Sequence, residues 1–147
     1  MGQRSKRLEL VLSLAEKKRQ QADQFLANSR QSLAQSQATL AQLDRYLLEY
    51  RQMYLGVNAQ GATGAQLQTQ QAFIQKLEAA RQTQVQAIEH QKRELEAVEK
   101  HWQAMFAKFK GIEKLTDQVR KSEAAEQEKI LQKQLDERAQ LHRPDYI

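Results

Sequence analysis

His90 and Glu94 stand four residues apart, the spacing at which two side chains of one helix meet, and such a pair is half of a metal site. No further ligand stands near it in the sequence: the other two histidines are His101 and His142, and the chain has no cysteine. A solvated ion pair on a helix surface is therefore the expected role. The missing cysteine also removes a thiolate nucleophile, a disulfide framework and a Cys-based zinc site. There is no glycine-rich phosphate loop and no Ser-His-Asp order. We expect no catalysis, no cofactor and no bound metal, so the chemistry to look for is recognition.

Recognition could begin with charge. Lys+Arg number 23 against 18 Asp+Glu, giving a net charge of +5. Most of these residues alternate in sign, as on a solvated helix face. Basic clusters form only at Arg4, Lys6 and Arg7 and at Lys17, Lys18 and Arg19, both near the N-terminus. Nucleic acid is therefore not an expected partner. No apolar run approaches the roughly 18 residues that a membrane span needs, so direct membrane insertion is not expected either. The opening MGQRSKRLEL has basic residues but no apolar stretch after them, so no secretory signal is expected and the bland location is cytoplasmic.

These groups must be carried by helices. The chain has one Pro and five Gly, and Gln, Ala, Leu, Glu, Lys and Arg dominate the rest, all good helix formers. Helix breakers gather once, from Gly56 to Gly64, so helices are expected at about 5–54 and 66–141, the second ended by Pro144. Both helices keep a heptad stripe. In the first, Leu12, Leu26, Leu33, Leu40 and Leu47 hold position a, while Leu8, Ala15, Ala22, Ser29, Ser36, Leu43 and Tyr50 hold d. In the second, Ile74, Arg81, Ile88, Leu95, Trp102 and Phe109 hold a, while Leu77, Gln84, Gln91, Val98 and Met105 hold d. A sustained 3.5-residue period predicts an all-α fold, a long antiparallel two-helix coiled-coil hairpin forming a single domain over 1–147. Two registers compete. One sets Ala22 against Trp102, Ala15 against Phe109 and Ser36 against Ile88, large opposite small. The other is one heptad shorter; it pairs Leu40 with Leu77 but sets Ser36 against Arg81. In the first, preferred register the second helix outruns the first, leaving an unpaired, highly charged overhang at about 120–147.

Near the loop, position g adds apolar residues beside the seam: Tyr46 and Met53 on the first helix, Phe73 and Ala80 on the second. With Leu43, Tyr50 and Leu77 they form a shelf. It is either a wider core stripe or an exposed aromatic patch, which on a rod marks a protein contact.

The segment 43–51 (LDRYLLEYR), the Gly/Asn loop, the segment 70–80 (QQAFIQKLEAA), the lone Trp102 and the charged tail together resemble the FliJ family of flagellar export proteins. The likeness covers nearly the whole chain. It implies a non-catalytic coiled-coil hairpin similar to the central stalk of rotary ATPases, monomeric in isolation. It also implies cytoplasmic residence at the periphery of the inner-membrane export apparatus. The partners implied are the hexameric export ATPase, the transmembrane export gate and export chaperones. By the same resemblance the gate-binding positions are Leu43, Tyr46, Tyr50, Phe73, Leu77 and Ala80. A histidine of the family pattern is replaced here by Gln84, so no role resting on that imidazole carries over. Arg4, Lys6, Arg7, Lys17, Lys18, Arg19, Arg120 and Lys121 would then meet the ATPase. The alternatives are a generic coiled-coil adaptor, the stalk of a virulence-type secretion system, or a basic nucleic-acid-associated rod.

Overall fold

The computed structural model describes residues 2–142. It is an all-α, two-helix hairpin: α1 spans Gln3–Ala59 and the longer α2 spans Gly64–Leu141, with no strand among the described residues. None of these helices is long and apolar enough to cross a membrane. The chain forms two compact units. One joins Met1–Ala22 to Trp102–Ile147, and the other is Asp23–His101.

In each unit the residues shielded from solvent recur every third and fourth position on both helices. In Asp23–His101 they include Leu26, Ser29, Leu33, Ser36, Leu40, Leu43, Leu47 and Tyr50 of α1, facing the a and d series of α2. A knobs-into-holes seam needs that rhythm, and its most buried members are Leu26, Leu47 and Ile88. Ion pairs between the helices mark the register. Arg30 meets Glu99 at 3.7 Å and Arg51 meets Glu78 at 2.8 Å, both joining e positions. In the other unit Glu9 and Arg120 do the same at 2.7 Å. These pairs set Ser36 against Ile88 and Ala22 against Trp102, so the shorter register is excluded. Three polar seam residues are accommodated individually. Gln84 donates to the Ser36 carbonyl at 2.9 Å, Arg81 reaches out of the seam to Asp44, and Arg19 lies over the Phe109 ring at 5.0 Å.

The connection is tighter than the glycine count predicts. α1 continues through Gly56 and Val57 to Ala59, and only residues 60–63 separate the helices. Gly61 stops α1: at φ +78° it adopts the left-handed conformation that a side chain disfavours. Its N–H then bonds the Asn58 carbonyl and the Ala62 N–H bonds the Val57 carbonyl, both at 3.2 Å. This is a Schellman cap, in which carbonyls left over at the helix end find donors. Thr63 starts α2. Its hydroxyl accepts from the Gln66 N–H at 3.3 Å, and the Gln66 side chain accepts from the Thr63 N–H at 3.2 Å. That reciprocal pair is a capping box, and it places Gly64 inside the helix.

The overhang also begins later than expected. Val119 is buried, Arg120 is bridged to Glu9, and Glu123 accepts a hydrogen bond from the Ser5 N–H at 3.2 Å. From Ala124 to His142 every residue is exposed. Pro144 and the rest of 143–147 lie outside the described residues. The Ser5 contact answers a local need: the first turn of α1 has no acidic residue of its own, and the Glu123 carboxylate satisfies an orphan N–H there. Hydrogen bonding from the Ser5 side chain lowers the Glu123 pKa; burial raises it by less, and the Ser5 and Gly2 backbones add to the lowering.

Candidate functional site

The unit Asp23–His101 holds the shelf next to the capped loop. The heptad sets which side chains can leave the seam: Leu43, Tyr50 and Leu77 occupy core positions and are half-buried. Tyr46 and Phe73, one step outside, are 41% and 42% exposed, and Met53 is 53% exposed. Ala80 is exposed beside them. The ring of Tyr50 packs on that of Phe73 across the seam, with centroids 4.6 Å apart and planes tilted by 55°. This aromatic pair fixes one edge of the shelf. The Tyr46 hydroxyl accepts from Gln42 Nε2 at 2.8 Å, which ties its polar tip to α1. Of the six positions Tyr50 and Phe73 meet directly; all six fall on the seam or its g edge in the same unit, and Tyr46, Phe73 and Ala80 are open to solvent. The other edge of this region is ionic, with Arg51–Glu78 and Arg81–Asp44.

Two large apolar residues beside this region escape a reading confined to the edges of the seam. Leu48 and Leu55 are 59% and 65% exposed, one heptad apart at position b, next to the Arg51 edge. Their spacing alone would have found them had b been inspected with e and g. Phe25 is 62% exposed in the same unit. Trp102 and Phe106 stack in the other unit with centroids 5.4 Å apart, Phe106 being 38% exposed.

The basic residues do not form one cluster. Arg19 is half-buried in the seam over Phe109, while Arg120 is engaged by Glu9 and Lys6 lies on the same side as that pair. Arg4, Arg7, Lys17, Lys18 and Lys121 are exposed around the opposite edge. His90 Nε2 lies 3.0 Å from Glu94 Oε1 with both side chains exposed, and no cluster of ligands able to hold a metal ion occurs among the described residues.

The unit Asp23–His101 is thus a coiled-coil segment with exposed aromatic side chains beside a capped loop. A family model for the flagellar FliJ protein matches residues 4–142. The chain belongs to the FliJ family and is a component of the flagellar protein export apparatus. Neither the curated proteins nor the solved structures gave a match.

Proposed function

We propose that the chain is the non-catalytic stalk of this apparatus, linking the hexameric export ATPase to the transmembrane export gate and escorting export chaperones. The observation that supports it most is the shelf. An apolar aromatic surface kept open to solvent costs solubility, and a partner that covers it explains its presence. Leu43, Tyr46, Tyr50, Phe73, Leu77 and Ala80 make the gate contact, with aromatic anchors at the centre as in most protein interfaces. The unit that joins the start of α1 to the end of α2 engages the ATPase through Arg4, Lys6, Arg7, Lys17, Lys18, Arg19, Arg120 and Lys121. The exposed helix beyond Glu123 can reach a partner without disturbing the seam. The protein then resides in the cytoplasm, at the periphery of the inner membrane.

The ATPase half is tested by adding the purified chain to the flagellar export ATPase and following hydrolysis and ring formation. Stimulation of both is expected. Unchanged hydrolysis with no complex in gel filtration would remove the ATPase from the scheme.

A further inference from the structure

Charge in the unit formed by Met1–Ala22 and Trp102–Ile147 is sorted by face. On the edge where Glu9 meets Arg120, flanking positions carry Glu16, Glu113 and Asp117 together with Lys6 and Lys110, a mixture of signs. The opposite edge and its flank, positions g, c and f, carry only one sign. α1 contributes Arg4, Arg7, Lys17 and Lys18 there, and α2 contributes Lys108, Lys114 and Lys121; all are exposed. No acidic residue occupies those positions in 3–22 or 102–122. No ion pair engages any of these basic residues among the described residues. Among them stand aliphatic side chains that the seam does not use: Leu10 is 70% exposed, Leu14 60%, Val11 45% and Leu115 44%.

A merely solvated face would mix signs and would not gather leucines. Basic side chains ringing exposed aliphatics suit an anionic bilayer surface, where the cations meet phosphates and the aliphatics reach the acyl boundary. We propose that this face adsorbs to membranes rich in anionic phospholipid, lying on them without crossing. Its composition separates lipid from the other polyanions. Single-stranded nucleic acid is held by stacking aromatics, and this face has none. Arg4, Arg7, Lys17, Lys18 and Lys121 also belong to the proposed ATPase contact, so lipid and ATPase would occupy this face alternately. Lipid binding is measured with no other protein present, and its failure is therefore distinct from failure of the gate or ATPase contacts.

The test uses the full chain and vesicles of phosphatidylcholine, alone or with about one third phosphatidylglycerol, in a co-sedimentation assay. Binding is expected only with the anionic vesicles, weakening as salt rises. Each basic residue near such a surface strengthens partitioning roughly fivefold, so the double reversal Lys17→Glu/Lys18→Glu should weaken it at least about 25-fold. Leu10→Ser/Leu14→Ser keeps every charge and should still weaken it on the order of tenfold. Lys76→Glu/Lys92→Glu makes the same charge change on exposed positions of the other unit and should leave binding within about twofold. Circular dichroism confirms that each variant stays helical. Three results overturn the proposal: no binding to anionic vesicles at low salt, equal loss in the Lys76/Lys92 control, or a leucine variant that binds as well as the parent. Binding to duplex DNA as tight as to the vesicles, with the leucine variant unaffected, would mark a general polyanion site instead and would also overturn it.

Discussion

Gln84 and Gln91 occupy the same seam position one heptad apart, yet the same substitution should affect them differently. Gln84 donates to the Ser36 carbonyl at 2.9 Å, whereas Gln91 Oε1 is shielded from solvent with no hydrogen-bond partner. A buried polar group left unpaired costs about 1–3 kcal/mol. Replacing Gln91 with Leu removes that cost and adds apolar burial at a half-buried site opposite Leu33, about 1 kcal/mol or half of a full side chain. The variant should gain ~2 kcal/mol in all, after some loss from imperfect packing. For Gln84→Leu the same apolar gain is offset by a lost hydrogen bond of about 1 kcal/mol, so its stability should change little. Urea unfolding followed at 222 nm reads both. With a slope of about 1–3 kcal/mol per molar urea, Gln91→Leu should move the midpoint upward by roughly 1 M. Equal shifts in the two variants, or a lower midpoint for Gln91→Leu, would refute the assignment of the orphan acceptor.

Glycine substitutions separate cap from helix. Gly61→Ala forces a side chain into the left-handed conformation and should destabilise by about 1 kcal/mol, while Gly56→Ala, inside α1 with open space around a Cβ, should stabilise by up to about 1 kcal/mol; thermal melts check both. The depressed Glu123 pKa sets a pH dependence at the start of α1. Its folded value lies below its unfolded one, so its stabilising contact is complete above the ordinary Glu range and is lost as pH falls through the folded value. The protection of the Ser5 amide, its exchange rate taken relative to that of an unstructured chain at the same pH, should fall there, and Glu123→Gln should abolish that acid-dependent step. Thr63→Ala removes the hydroxyl half of the capping box and should cost about 1 kcal/mol, read by urea unfolding.

The stripe of α1 and α2 is legible in the sequence because heptad spacing is a local property. Leu26, Leu47 and Ile88 are buried where the period puts them. Matching Ala22 with Trp102 also anticipates the register, since helices at constant separation need small residues opposite large ones. The turn is less legible through composition. Counting glycines spreads the loop over 56–64, whereas the stop depends on one residue in the left-handed conformation and the restart on Thr63 paired with Gln66. The second signal was present as Thr-x-x-Gln. The Ser5–Glu123 contact spans 118 residues and depends on where two helix ends meet, which no local pattern encodes. For the shelf, sequence leaves open whether the g residues are core or surface. The exposure of Tyr46 and Phe73 decides it, while Leu48 and Leu55 lie outside the edges that a seam-centred reading inspects.

The most direct test of the account is binding of the purified chain to the cytoplasmic domain of the export gate, compared with the variant Tyr46→Ala/Tyr50→Ala/Phe73→Ala/Leu77→Ala. The parent should bind. The variant, confirmed helical by circular dichroism, should lose binding by at least about a hundredfold, since hot-spot truncations each cost on the order of 2 kcal/mol. A helical variant that binds the gate as tightly as the parent would contradict the account.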